Sequence, residues 1–124
     1  EKNIIHLGTA GGQTKGSSGY TFRFIQKHAA AIVKSLEAND HPFAVPPVSK
    51  RFSFYDSVLL NVLKKKTVSG EQVFSTLFQK NEAAKVFRFL DNESTITEDI
   101  SLIKTLPTLP FLAAALTHFQ HRIN

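Results

Sequence analysis

One segment near the N-terminus constrains the fold of this chain more than any other. An apolar run over residues 3–7 leads into a stretch with five glycines between residues 8 and 19, and a helical pattern follows. Glycine backbone can approach a ligand closely and can adopt conformations that side chains disfavour. The N–H groups at a helix start also favour negative or electron-rich atoms. The segment therefore predicts a strand, a turn and one half of a binding site, with the other half supplied from outside this chain.

The composition indicates one ordinary globular domain. The chain has 124 residues, 42% of them hydrophobic and 20% charged, which is enough for one core. Without cysteine there is no disulfide, thiolate nucleophile or cysteine metal site. No apolar run approaches the roughly 20 residues of a transmembrane helix, and no signal peptide is recognisable. Eleven Phe against two Tyr and no Trp favour dry cores or apolar clefts. Because Met is also absent, we expect the N-terminus to be a processing or artificial boundary.

The positive charge of the chain does not predict nucleic-acid binding. The formal net charge is +5, but Lys64-Lys65-Lys66 is the only basic run. It lies where a helix is predicted to end, so interaction with the helix dipole accounts for it. A modest attraction to anionic lipid headgroups is an intermediate alternative.

Helical periodicity dominates the rest of the sequence. Apolar residues recur three or four positions apart from Tyr20 to about Asn39, and a proline-rich connector follows over residues 41–49. Further helices are predicted over residues 50–66, from the capping-box pair Ser69 and Gln72, after a cap at Asn81, from the pair Thr95 and Glu98, and over residues 108–121. The predicted fold is therefore mainly α, with a short N-terminal strand, a glycine loop and about six helices. Since a lone strand needs a sheet, we expect a piece of a larger protein.

Other patterns provide no catalytic or metal-binding residue. The five histidines lack the spacing of a metal pair, and no Gly-x-Ser-x-Gly elbow is present. Four carboxylates surround predicted helix ends, where they are expected as caps: Asp91, Glu93, Glu98 and Asp99. The glycine loop is neither Gly-x-Gly-x-x-Gly nor a Walker sequence, so taken alone it is either a tight turn or a ligand loop.

A longer pattern decides between those two interpretations. Residues 4–15, followed by Ser-Gly-Tyr-Thr-Phe over residues 18–22, resemble the C-terminal flavin-binding segment of bacterial lycopene cyclases. The resemblance continues through Arg-Phe-Ser-Phe-Tyr-Asp from Arg51 onwards. It then includes shorter blocks at residues 73–78, 87–91, 106–107 and 110–111. It covers nearly the whole chain, and its first two blocks are the most specific.

The resemblance implies a two-domain α/β flavoprotein related to hydroxylases and geranylgeranyl reductases, of which this chain looks like the C-terminal third. Gly8-Thr9-Ala10 is similar to the family's Gly-Asp-Ala triplet, and the Thr9 hydroxyl can still donate a hydrogen bond without the charge. Gly16 replaces a proline common in relatives, which should loosen the loop. The implied FAD-binding residues are Gly8, Thr9, Ala10, Gly11, Gly12, Ser18, Gly19, Tyr20 and Thr21.

The implied chemistry is acid-catalysed ring closure at the ends of a linear carotene, without net oxidation. Reduced FAD would stabilise positive charge in a non-redox role, and aromatic walls would exclude water. The catalytic acid is expected outside this chain, which alone should be inactive. Phe52, Phe54 and Tyr55 are candidates for the substrate tunnel, with core packing as the alternative. In that packing alternative, Arg51 and Asp56 are solvated.

The resemblance also implies partners and organisation. The carotenoid substrate is dissolved in lipid, so we expect a cytoplasmic enzyme in peripheral contact with the membrane. Residues 1–40 would complete the flavin site and residues 41–124 would form a helical region. The unpaired strand and uncovered helix stripes should make the chain self-associate. The alternatives are a fragment of a related flavin monooxygenase or prenyl reductase, or a stand-alone helical module that binds acidic lipids or a protein.

Overall fold

The computed structural model describes residues 4–16 and 18–123, with side chains described through residue 117. The elements in this part of the chain are a 3-10 turn at Gly8–Gly11 and the helices α1 (Phe22–Asn39), α2 (Lys50–Lys64), α3 (Gly70–Lys80), α4 (Ala83–Leu90), α5 (Ile96–Ile103) and α6 (Thr108–Ile123). They fall into two compact units, the loop unit Glu1–Ser49 and the helical unit Lys50–Asn124. The prediction of a mainly helical protein with about six helices is confirmed.

The predicted strand over residues 3–7 is not found. Residues 4–7 lie outside any helix or strand, and residue 3 lies outside the described residues. Leu7 does have an extended backbone, with φ −111° and ψ 159°. An extended segment becomes a strand only when a neighbour satisfies its N–H and C=O groups, and no strand occurs in residues 4–16 or 18–123.

Helix α1 dominates the loop unit. It begins at Phe22, two residues later than predicted, and ends where Asp40 adopts a left-handed conformation with φ 56°. Near this end, the Ser35 hydroxyl donates to the carbonyl of His41 at 2.6 Å and accepts from the N–H of Ala44 at 3.0 Å. The proline-rich connector is thereby attached to the helix it follows.

The apolar core belongs to the helical unit. Helix α2 packs mainly on α6, while α4 contacts both α3 and α5. Among the described residues the core cluster consists of Val58, Val62, Val68, Val73, Leu77, Val86, Leu102 and Ala114, with half-buried aromatic and aliphatic side chains around it. Most of these residues recur at helical spacing, so the periodicity that predicted the helices also predicted the faces they bury.

Two of the three predicted N-caps are confirmed. Ser69 with Gln72 and Thr95 with Glu98 each form a complete capping box at the start of α3 and α5. The predicted cap at Asn81 is wrong, because α4 begins at Ala83 and has Glu82 in the N-cap position. Asn81 instead ends α3, where its side-chain amide donates to the Leu77 carbonyl at 3.0 Å and to the Thr105 hydroxyl at 3.0 Å.

Candidate functional site

The glycine loop of the first unit turns twice before α1. The Gly12 N–H donates to the Thr9 carbonyl at 3.0 Å, and the Gln13 N–H donates to the Gly8 carbonyl at 2.9 Å. Gly8 and Gly12 close this turn with φ of 66° and 73°, and Gly19 has φ 71° in the second turn. L side chains rarely adopt such angles, so the glycines are required by the backbone path itself.

Two further properties of the glycines bear on ligand binding. At Gly11 an added Cβ would lie 2.2 Å from the His6 carbonyl oxygen, so the loop packs backbone against backbone there. At Gly12 and Gly19 an added Cβ would meet no described atom within 4 Å. The loop is thus tight on its inner side at Gly11 and open on its exposed side, as close approach of a ligand requires.

Threonine hydroxyls connect the first turn to the start of α1. Thr14 Oγ1 donates to Thr9 Oγ1 at 3.5 Å, and Thr21 Oγ1 lies 3.3 Å from Thr14 Oγ1 and donates to the Gly19 carbonyl at 2.8 Å. The Lys15 N–H also donates to the Tyr20 carbonyl at 2.8 Å. These bonds gather the predicted FAD-binding residues 8–12 and 18–21 into one local structure.

The N-terminus of α1 remains available to an electron-rich ligand. Thr21 is its N-cap, but the Thr21 side chain makes no capping hydrogen bond, and the first turn contains no acidic residue. The first N–H groups of a helix have no partner within the helix, and the helix dipole adds partial positive charge there. In α3 and α5, by contrast, a capping box satisfies part of these groups.

The predicted tunnel residues form an aromatic cluster in the second unit. Phe52 is buried, whereas Phe54 and Tyr55 are half-buried. The Tyr55 ring lies 6.2 Å from that of Phe52 and 6.0 Å from that of Phe54. It also stacks on Phe89 of α4, with centroids 5.8 Å apart. The block therefore contributes to packing, while two of its three rings retain an exposed part.

A buried polar cluster accompanies these rings, and sequence reasoning missed it. Asp99 has no exposed surface, and its Oδ2 lies 3.3 Å from Nε of Arg51. Ser94 donates its hydroxyl to Asp99 Oδ1, and Arg51 Nη2 donates to the Ser94 carbonyl at 2.6 Å. The Arg51 guanidinium also lies over the Phe52 ring, 4.4 Å from its centroid.

This cluster corrects two expectations. The sequence predicts that Asp99 caps a helix and, in the packing alternative, that Arg51 is solvated. The two side chains instead join the start of α2 to α5 in a largely buried ion pair. Helical spacing could have predicted the burial of Asp99. It lies three residues before Leu102, so both belong to the face of α5 that packs inward.

The phenol of Tyr55 belongs to the same cluster. Burial raises the pKa of Tyr55, and the charge of Asp99 and a hydrogen bond to it raise this pKa further, against a smaller opposite effect of Arg51. Asp99 Oδ2 and Arg51 Nε lack a well-aligned hydrogen-bond partner, although they face each other as an ion pair. Tyr55 is thus a neutral phenol, and Asp99 is enclosed too completely to reach a substrate.

A second ion pair lies nearer the surface. Arg88 of α4 donates from both Nε and Nη2 to Oε1 of Glu98, the capping residue of α5. The hydrogen bond from Arg88 is the main reason that the pKa of Glu98 falls to about 2. Among the side chains that the structure describes, those of residues 4–16 and 18–117, no three His, Asp or Glu residues assemble as a metal site. In residues 4–16 and 18–123, no helix is both long and apolar enough to cross a membrane.

Comparison with known proteins identifies a family. The sequence model described as lycopene cyclase protein matches residues 1–116 of the chain. No match is found among curated proteins or among solved structures. The family match includes both the glycine loop and the aromatic block.

Proposed function

This chain belongs to the lycopene cyclase family, and we propose that it is the C-terminal part of a flavin-dependent enzyme that closes rings at the ends of a linear carotene. The family match supports a lycopene cyclase-like role over nearly the whole chain. The observation that carries the cofactor assignment is the glycine loop before α1. Its open glycines and uncapped helix start supply what a dinucleotide cofactor needs on one side.

Particular loop residues fit FAD in different ways. Gly12 and Gly19 leave room for close approach, and the hydroxyl of Thr9 can donate to a ribityl or phosphate oxygen. The start of α1 would face an electron-rich group. When bound, reduced FAD supplies electrostatic stabilisation of a carotene cation without transferring electrons. The missing side of the site would come from the N-terminal domain of the complete enzyme.

The proposed reaction is an isomerisation. A carboxylic acid protonates a terminal double bond, a neighbouring double bond attacks the cation, and loss of a proton completes the six-membered ring. We assign no acid in this chain, because Asp99 is enclosed with Arg51 and Glu98 is paired with Arg88. The exposed parts of Phe54 and Tyr55 would form one wall of the cleft, where apolar rings exclude water and stabilise a cation.

The cofactor assignment is tested at the tight glycine. Gly11→Ala in the complete enzyme should reduce flavin occupancy at least tenfold, because its Cβ would collide with the His6 carbonyl. Gly70→Ala is the matched control, since a Cβ there makes an ordinary 3.7 Å contact with Leu63. Flavin is measured by absorbance after gel filtration. Full occupancy in Gly11→Ala would refute the assignment of this loop.

The reaction class is tested by the mass of the product. Incubation of the complete enzyme with lycopene should yield a cyclic carotene of unchanged mass, because cyclisation only moves a proton. A related monooxygenase would add an oxygen atom, and a prenyl reductase would add two hydrogens. Either mass change would replace the cyclase assignment by that of a relative with the same cofactor.

A further inference from the structure

Helix α6 is apolar on two opposite sides. Its inner side packs on α2, with Ala114 buried and Phe111 half-buried. Its outer side exposes Leu109, Leu112 and Leu116 to 82%, 54% and 63%, at a helical spacing of three and four residues. We refer to these three residues as the leucine face. A helix that is hydrophobic all round is normally buried, so the leucine face requires a cover.

Lysines lie against the later part of α6 and four residues before its start. Lys65 Nζ donates to the hydroxyl of Thr117 at 3.5 Å, which brings the basic run over residues 64–66 to the later part of α6. All three lysines of that run are exposed, as is Lys104 just before the helix. The sequence contains no acidic residue from 100 to 124. Helix α6 and the segment before it therefore contribute no negative charge beside the leucine face.

We propose that the leucine face lies in the interface of a lipid bilayer, where the flanking lysines contact anionic headgroups. Apolar side chains in the acyl boundary with lysines at the headgroup level are typical of helices that lie in a membrane surface. This proposal rests on the proposed function and deepens it, because a lipid-dissolved carotene must enter the enzyme from a membrane.

The chemistry of the face favours a bilayer over a second copy of the chain. A two-fold dimer through this face would bring its own lysines against one another, which like-charge repulsion opposes. Stable protein interfaces are enriched in aromatic residues and arginine and depleted in lysine, whereas this surface offers leucine and lysine. An anionic bilayer complements both properties at once.

The apolar contribution is tested by vesicle sedimentation of the complete enzyme. Leu116→Gln should weaken binding about tenfold, because the leucine would no longer bury its exposed surface in lipid. Leu60→Gln is the matched control on α2, where the leucine is 44% exposed and outside the leucine face. The control should bind vesicles like the parent protein.

The charge contribution is tested with two vesicle compositions, phosphatidylcholine alone and phosphatidylcholine with about a quarter phosphatidylglycerol. Lys65→Gln with Lys66→Gln should weaken binding to the anionic vesicles about 25-fold, since each surface lysine contributes roughly fivefold, and leave binding to neutral vesicles unchanged. Lys80→Gln, at the exposed end of α3, is the control and should leave binding to both vesicle compositions nearly unchanged.

Several results would overturn the membrane assignment. They are absence of binding by the parent protein, equal binding by Leu116→Gln and its control, or light scattering in which Leu116→Gln converts a dimer to a monomer. The last result would assign the face to a second copy. Flavin occupancy and product mass are measured on the same preparations. If Leu116→Gln retains both cyclisation and vesicle binding, only the membrane role of the leucine face is rejected. The proposed function then still holds.

Discussion

The loop unit and the helical unit are stabilised by different means. All the buried hydrophobic side chains of the described residues lie in the helical unit, from Phe52 onward. In residues 4–16 and 18–49 of the loop unit, the two buried residues are both polar, Lys15 and Ser35. Its shape depends on turns, glycine conformations and hydroxyl bonds, whereas the helical unit depends on a core. A conformation held mainly by hydrogen bonds gains little from the hydrophobic effect and is the easier one to open.

This difference matches the roles that we propose. A loop that must fit closely around a cofactor can obtain its final rigidity from the cofactor and from the domain that supplies the rest of the site. Exposed apolar residues on α1, Phe22, Val33 and Leu36 among them, are consistent with further cover. Self-association through such surfaces stays a prediction, for which light scattering is the measurement.

The largest contrast is expected from matched leucine truncations. Leu77→Ala removes a side chain that is 3% exposed in the core and should lower the free energy of unfolding by about 3 kcal/mol. Leu36→Ala on α1 changes a side chain that is 45% exposed and should stay within about 0.5 kcal/mol. Urea denaturation followed by circular dichroism measures both. Equal losses of stability in the two variants would show that Leu36 is packed in a hydrophobic core as Leu77 is, which would contradict the difference between the two units.

The buried ion pair should give the next largest effect. Asp99→Asn leaves Arg51 without its partner and should cost about 2 kcal/mol, toward the low end for buried pairs because Arg51 is 28% exposed. Adding Arg51→Gln should cost less than the sum of the two single changes, because the pair is then removed as a unit. Urea denaturation again measures the stabilities. Strict additivity in this double-mutant cycle would show that Arg51 and Asp99 have no interaction energy with each other.

Features determined by neighbours in sequence were predictable. The capping boxes at Ser69 and Thr95 need only residues three positions apart, and the core faces follow from helical spacing. The loop was also located from its glycines, and its positive φ angles at Gly8, Gly12 and Gly19 justify that emphasis. The residues implied for FAD and for the tunnel remain predictions of function, although the structure brings each set together.

Features that depend on distant residues were not predictable. The strand over residues 3–7 needed a pairing partner that no local pattern reveals. Asn81 matched an N-cap, but its amide is engaged by Thr105, twenty-four residues away. Asp99 was interpreted as a cap because it lies near a predicted helix end, whereas its partner Arg51 lies on another helix. For Asn81 and Asp99 a tertiary contact overrode a plausible local role, whereas the strand lacked the contact that it needed.

Substitution of Tyr55 tests whether the aromatic block contributes to packing or to catalysis. Tyr55→Phe should reduce the free energy of unfolding by about 1 kcal/mol or less, because the polar interaction of the phenol with Asp99 is lost while volume is nearly kept. Cyclisation by the complete enzyme should stay within about twofold of the parent. A tenfold lower turnover at unchanged stability would instead place the hydroxyl at the flavin or substrate. Unchanged products in Phe52→Leu would mark that buried ring as packing.

The smallest effect is expected from acid titration of the pair between Arg88 and Glu98. The folded-state pKa of Glu98, about 2, is below its ordinary value of 4.5. Its contribution to stability is therefore complete above about pH 4.5 and is lost as the pH falls through 2. Glu98→Gln should remove this part of the acid dependence, measured as the urea midpoint against pH. Glu71→Gln, at the start of α3, is the control that should retain it.

The central claim is that the loop unit is completed by its cofactor while the helical unit is complete in itself. Hydrogen–deuterium exchange of the complete enzyme, with FAD removed and with FAD restored, measures this directly. We predict that FAD slows exchange at least tenfold over residues 8–21 and leaves the core segments of α2, α3 and α4 unchanged. Equal exchange over residues 8–21 in the two states would contradict the claim.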